Sequence, residues 1–372
     1  MILYIFPFLL TLFAAFKYDI LESEDGHKAF IWKFLYIYLV SVIGLRYMVG
    51  GDSYFYMLYF NKIPIGHLFD LSWDKEYQPF FFLLTSFAKF IYPDFTSFQI
   101  IHALIINSCL FWFISKHSKY KFSTLFLCLL MFYINFSVEI LRESLAIMIF
   151  LLNYKNLENK KYLRYYIGVF IAFMFHISAV FLVILPFIRF FKLNKWYLLL
   201  LLFTFIAMYQ LKTFFSFFEN VDQFNKKIDD YSEAAYGWKS TVLFLITKTL
   251  IPVGLFYWAK IKFNFKVKYE SFICLFGILG VCSIFNTIIF TRFTNYLVVF
   301  YCIALSELLI PFLKIRIMTL SKLFIMCSLL FMVICYGYVS FFWPDRYYRK
   351  WVPYYSIFSI EARTDQFIDR KY

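Results

Sequence analysis

Asn135-Phe136-Ser137-Val138-Glu139-Ile140-Leu141-Arg142-Glu143-Ser144-Leu145-Ala146 sets three charges inside an apolar run that reaches from Phe122 to Leu152. Coiled as one helix, the run is roughly 46 Å long at ~1.5 Å per residue. The hydrocarbon core of a bilayer is about 30 Å thick, so a single straight span is excluded. Two short spans that meet near Asn135 to Arg142 fit, with the charges at or just inside one membrane face. Charge at that depth is costly and tends to mark a site. Arg142 is therefore the expected centre of the chemistry.

The 372 residues are 62% hydrophobic, with a mean hydropathy of +0.69, and apolar segments of spanning length recur from end to end between short polar loops. That pattern predicts an all-α, polytopic transmembrane helical bundle of about 10–12 membrane segments, some short or re-entrant. A membrane β-barrel would instead show short alternating segments. Residues 1–342 read as one integral-membrane domain and 343–372 as a polar, aromatic C-terminal tail. The net charge of +14 would suggest nucleic acid in a soluble protein, but here the Lys and Arg gather in short loops, as the positive-inside bias expects. No nucleic-acid partner is implied. All seven Cys lie in apolar segments without ligand spacing to a His, which argues against a disulfide framework or a zinc site. The segment Met1–Phe16 lacks a basic leader and a small-residue cleavage site, and reads as a retained span.

Six loops, at 17–28, 116–121, 155–164, 189–195, 260–268 and 314–322, hold 19 of the 37 Lys and Arg. They share the cytoplasmic side only if Pro79–Tyr92 and Ile167–Ile188 dip in and return as re-entrant or broken hairpins. The preferred topology is ten full spans plus these two hairpins, with both termini outside; twelve plain spans are the alternative. Irregular backbone at membrane depth is tolerated where it lines a cavity or packs in protein. On the preferred topology Arg46, Asp52, Glu76, Arg142, His176 and Arg292 all gather toward the outer face.

Each of these residues has a bland reading beside the functional one. Arg46 directly follows the second span and fits an interfacial anchor as well as a ligand contact. Gly50-Gly51-Asp52 is a flexible turn with a carboxylate just beyond it. Glu76 fits a general base or a helix cap. Arg142 is flanked by Glu139 and Glu143, and Glu139, three residues earlier on one helical face, would pair with it and lower the cost of burial. In the functional reading its planar guanidinium grips an anion. Arg292 stands between two long spans where the connection is very short. His176, read as the one His well inside an apolar segment, sits at a helix break and suits proton transfer as well as a structural role. No phosphate loop, dinucleotide motif or nucleophile elbow is present.

Gly44-Leu45-Arg46 with Gly50-Gly51-Asp52-Ser53-Tyr54-Phe55-Tyr56, then Glu76-Tyr77-Gln78-Pro79, Leu141-Arg142-Glu143-Ser144-Leu145-Ala146, Phe175-His176-Ile177-Ser178-Ala179 and Arg292-Phe293, resemble in order and spacing the pattern of EpsG-type proteins. Glu143 stands where that pattern usually has Gln. The resemblance implies a Wzy-like polymerase of capsule, O-antigen or exopolysaccharide: a multi-pass glycosyltransferase of the bacterial inner membrane. Its implied substrates are oligosaccharide repeat units on undecaprenyl diphosphate, with no cofactor and no metal. A flippase and a chain-length regulator are implied partners, alongside the bilayer.

On that resemblance Arg46, Arg142 and Arg292 hold the diphosphate leaving group, whose growing charge they stabilise in a low-dielectric site. His176, or failing that Glu76 or Asp52, accepts the proton of the attacking hydroxyl. Two other classes stand beside this one. One is a flippase of the same lipid-linked oligosaccharide. The other is a membrane O-acyltransferase that uses His176 as base.

Overall fold

The run from Phe122 to Leu152 breaks where its charges begin. In the computed structural model Lys121–Val138 is helical throughout, with a π-helical stretch at Leu129–Tyr133. Ile140 leaves helical geometry at φ −94° and ψ 54°, and a new helix starts at Leu141. Neither Gly nor Pro causes this break. Side chains of other segments hold it open: His102 Nε2 lies 3.1 Å from both the Leu141 carbonyl and Ser144 Oγ, while Glu139 turns away to partners described below.

The structure describes residues 2–63, 78–216, 242, 245–283, 287–314, 319–337, 351–352 and 354–358. In chain order the helices are α1 (Ile2–Ala14, continued by a π turn Ala15–Ile20), α2 (His27–Gly44), α3 (Ser53–Lys62), α4 (Pro79–Ile91) and α5 (Phe95–His117). There follow α6 (Lys121–Cys128), α7 (Ile134–Val138), α8 (Leu141–Glu158), α9 (Tyr162–Phe173), a 3₁₀ segment Ile177–Phe190 and α10 (Lys195–Ser216). After a π stretch at Leu245–Leu250 come α11 (Ile251–Phe263), α12 (Glu270–Cys282), α13 (Thr287–Lys314) and α14 (Leu320–Gly337). The all-α expectation is met: among the described residues there is no strand, only an isolated bridge between Arg46 and Ser356. Among the described residues four helical stretches, Ile2–Ile20, Phe95–His117, Lys121–Val138 and Ile289–Lys314, are long and apolar enough to cross a membrane. Shorter apolar helices, such as Pro79–Ile91, Tyr162–Phe173 and Glu270–Cys282, stand beside them.

The chain divides into two units, Met1–Val183 with Tyr336–Tyr372, and Ile184–Cys335. In the first, α2 and α5 run antiparallel. Gly44 lies against Ile100, where a Cβ would come within 3.3 Å of its backbone, and Trp32 packs on Phe111 with ring centroids 4.6 Å apart. Polar groups inside this unit are matched to helix ends, because the first amides and last carbonyls of a helix have no partner within it. Asp94 accepts from the Thr96 amide at the start of α5, and buried Asp19 accepts from the amide (2.7 Å) and hydroxyl (2.8 Å) of Ser123 in α6. In the first connection Asp25 pairs with Lys17 and accepts from the Tyr18 hydroxyl, which together pull its carboxyl down to about 2.

Lys89 serves the other kind of end. Its ammonium is buried in α4 and donates to the carbonyls of Phe60 (2.8 Å), Asn61 (3.0 Å) and Ile63 (2.5 Å) around the C terminus of α3. Lys89→Met fills the space but strips three carbonyls of their donor. It is expected to cost on the order of 2 kcal/mol, read as a fall of several degrees in apparent melting temperature of the purified protein.

In the second unit α12 and α13 pack through Phe276 stacked on Tyr301 (4.6 Å), and the Tyr197 hydroxyl donates to the Cys274 carbonyl (2.9 Å) over Gly277. Lys260 pairs with Glu270, and Lys268 with Glu307 at 2.8 Å. Arg292 belongs to this unit. The expected short connection around it is corrected: α12 ends at Cys282, and Arg292 lies inside α13. Phe290-Thr291-Arg292-Phe293 contains no residue that ends a helix, so the helix continues through it.

Candidate functional site

Arg46 occupies the short connection Leu45–Asp52 between α2 and α3, a stretch with two left-handed residues, Met48 (φ 51°) and Gly50 (φ 111°). Its side chain is only 1% exposed, which is unusual for a charged group. Nη1 donates to the Ile43 carbonyl, while Nε and Nη2 find no acceptor among the described residues. Tyr4, Tyr354, Glu139 and Tyr133 lie near enough to act on it electrostatically.

The expected Glu139–Arg142 pair on one helical face is not formed, because the break at Glu139–Ile140 puts the two residues on different elements. Glu139 is buried, and both its oxygens accept from the Gly51 amide (3.0 and 2.9 Å). Oε1 also accepts from Trp351 Nε1 at 2.6 Å. Gly50 makes the docking possible. At its positive φ a Cβ would sit 2.6 Å from Val138 Cγ1 and 2.9 Å from the Val138 carbonyl. Gly50→Ala is therefore expected to force the loop off the helix break at about 1–3 kcal/mol, measured by thermal unfolding.

Residues 351–352 and 354–358 bring a third segment to this place. The Tyr47 amide donates to the Tyr355 carbonyl (2.9 Å) and the Ile357 amide to the Leu45 carbonyl (3.0 Å), on either side of Arg46. The hydroxyl of Tyr354 reaches the Val42 carbonyl, and that of Tyr4 reaches the Trp351 carbonyl.

Arg142 stands half-buried in the first turn of α8. Its Nη1 donates to Gln78 Oε1 at 3.3 Å, and Gln78 immediately precedes Pro79 at the start of α4. The same start of α4 is tied to the end of α9: the Phe80 amide donates to the Met174 carbonyl (3.0 Å), and Phe80 meets Phe175 edge-on. His176 follows at the break between α9 and the 3₁₀ segment. Beyond it the chain turns back, so that the Tyr165 hydroxyl reaches the Leu182 carbonyl at 2.7 Å. Arg142, Gln78 and His176 are thus brought to one end of the first unit by consecutive contacts.

The His176 ring is buried and acts as a helix-type cap. The Ser178 amide donates to Nδ1 at 3.3 Å, and Ser178 Oγ lies 2.6 Å from the same nitrogen. With Nδ1 accepting an amide N–H, the neutral ring carries its proton on Nε2. The reading of His176 as the one His inside an apolar segment is corrected by His102 in α5, which is fully buried and holds the start of α8.

Asp52 is exposed at the N terminus of α3, one residue beyond the Gly51 amide held by Glu139. Glu76 lies outside the described residues. Arg292 is half-buried in the second unit. The roles of Glu139, Gln78, His102 and Trp351 escaped sequence reasoning. Gln78 carried a signal in Glu76-Tyr77-Gln78-Pro79, and Glu139 as a charge in an apolar run, whereas His102 and Trp351 carried none. Among the described residues no three His, Cys, Asp or Glu come together in a set that could hold a metal ion.

Two cations therefore stand at one end of an apolar unit, one buried with donors to spare and one at a helix start. Helix N termini already favour anions through their free amides and dipole. The guanidinium of Arg142 adds further N–H donors at the start of α8. Among known families, the model of the EpsG family matches residues 29–356. No curated protein and no solved structure matches the chain.

Proposed function

Since the chain belongs to the EpsG family, a family of membrane proteins of polysaccharide biosynthesis, we propose that it polymerises oligosaccharide repeat units carried on undecaprenyl diphosphate. The reaction takes place at the outer face of the bacterial inner membrane and needs no metal. The observation that carries this reading is the pairing of Arg142 at the start of α8 with Gln78, beside the Arg46 loop docked on the same helix break.

In the proposed step a hydroxyl of one lipid-linked glycan attacks the anomeric carbon of another. The new C–O bond forms as the bond from that carbon to the diphosphate breaks. Undecaprenyl diphosphate leaves with the electron pair, and its oxygens gather charge in the transition state. Arg142 and Arg46 stabilise that charge where water is largely excluded. The hydroxyl proton goes to a carboxylate, Asp52 or Glu76. His176 is assigned the donor role toward an anionic oxygen, because its Nδ1 is taken by Ser178. Direct displacement of this kind inverts the anomeric centre.

The test is polymerisation of a defined lipid-linked repeat unit by the purified protein. A ladder of products differing by one repeat unit supports the reading. Absence of the ladder, with the same substrate moved across a vesicle membrane or acylated instead, overturns it in favour of a flippase or an acyltransferase. In cells the matching sign is loss of long surface glycans with a single capped repeat retained.

A further inference from the structure

Glu139 has no part in the reaction just proposed, yet a buried carboxylate is expensive unless it is fully hydrogen-bonded. Its partners show where it acts. One is the Gly51 amide, 88 residues away in the chain, and the other is the Trp351 indole, 212 residues away. The geometry points to Glu139 as the positioning residue that fastens residues 351–352 and 354–358 onto the Arg46 loop, making this C-terminal segment a working part of the anion site. The inference rests on the polymerase reading and deepens it.

The position of the Arg46 guanidinium depends on the backbone that carries it. Its backbone is fixed on one side by the Ile357 amide and on the other by the Tyr355 carbonyl. A short isolated bridge has little stability of its own. The bridge persists because the segment is anchored further up, by Trp351 to Glu139, by the Trp351 carbonyl to Tyr4 and by Tyr354 to the Val42 carbonyl. Of these anchors only the first is charge-assisted, and such bonds are about twice as strong as neutral ones. The same carboxylate holds Gly51, so both sides of the Arg46 connection depend on one residue. Without it, the loop and the segment part, water reaches the guanidinium, and its grip on phosphate-type oxygens weakens.

Two variants of the full-length purified protein isolate the bond. Trp351→Phe keeps an aromatic ring in place but removes the indole N–H together with its five-membered ring, and Glu139→Gln keeps the shape but turns one acceptor into a donor. Each is expected to lower kcat/KM for the lipid-linked repeat unit about tenfold or more, the worth of one hydrogen bond to a charged group. The double variant is expected to be little worse than either single one, since both remove the same contact. Inhibition by added undecaprenyl diphosphate is expected to weaken by a similar factor. An inhibition constant does not change when a fraction of the protein is merely inactive, so it separates positioning from general damage. Should Glu139→Gln yield no folded protein, Trp351→Phe alone decides.

Wild-type kcat/KM and wild-type inhibition in Trp351→Phe, with Arg46→Met inactive, would overturn the positioning role and leave the polymerase reading intact. Full polymerisation by Arg46→Met would remove the anion site itself, and this inference with it.

Discussion

Arg142→Lys is expected to reduce polymerisation by about 10²-fold or more while leaving the protein folded. The substitution keeps the charge and loses the fork. A guanidinium presents several N–H groups in one plane and grips two phosphate oxygens together, whereas an ammonium is a point charge on a flexible stem. Losing one positioned donor at a developing anion typically costs about 2.7–4 kcal/mol in rate. Little stability is at stake. Arg142 is half-buried, its Nη1 contact with Gln78 is 3.3 Å, and a cation in the first turn of a helix opposes the helix dipole. A residue placed against the dipole is poorly explained by stability and well explained by an anion that arrives later. A gel of products from a defined repeat unit reads the outcome. A full ladder from the Lys variant would remove the clamp role from Arg142.

Much of this arrangement was legible in the sequence because it depends on length and periodicity. The run Phe122–Leu152 is too long for one span and carries charge at its middle, and the helix does stop there, at Glu139–Ile140. The break at His176 was expected from the loop charges instead, since 155–164 and 189–195 share a side only if Ile167–Ile188 turns back. What stayed hidden depends on contacts between distant segments. Read as continuous helix, Glu139 and Arg142 share a face and should pair. Once the chain turns between them, the carboxylate is free to find Gly51 and Trp351, and nothing periodic announces either partner. Hydropathy likewise treats residues 343–372 as an appended tail, although residues 354–358 bond to the connection after α2. His102 was hidden by its surroundings: one His among the apolar residues of α5 barely alters the average, yet it secures the start of α8. Arg292 was misplaced because hydropathy splits the apolar stretch at the charge, although Phe290-Thr291-Arg292-Phe293 holds no Gly, Pro or Asn and the helix runs through it.

Arg46→Met is expected to separate stability from activity in opposite directions. The guanidinium is 1% exposed, one nitrogen is bonded to the Ile43 carbonyl, and two find no acceptor among the described residues. Glu139 acts on it electrostatically but spends its hydrogen bonds on Gly51 and Trp351. Removing a charge from water costs several kcal/mol, and attraction at a distance without hydrogen bonds does not offset that. Methionine has a similar length and no desolvation cost, and apolar replacements of buried ionic groups have raised stability by about 1–4 kcal/mol elsewhere. The variant is therefore expected to unfold at the same temperature as the parent or higher, and to make no polymer. An interfacial anchor or a structural ion pair predicts the reverse, a loss of roughly 3–5 kcal/mol for a broken buried pair. Thermal unfolding in detergent, run beside the polymerisation assay, distinguishes the two. A destabilised variant that still polymerises would make Arg46 a structural residue. A stable, inactive one would mean that the fold carries an unmatched cation for the sake of the diphosphate it binds.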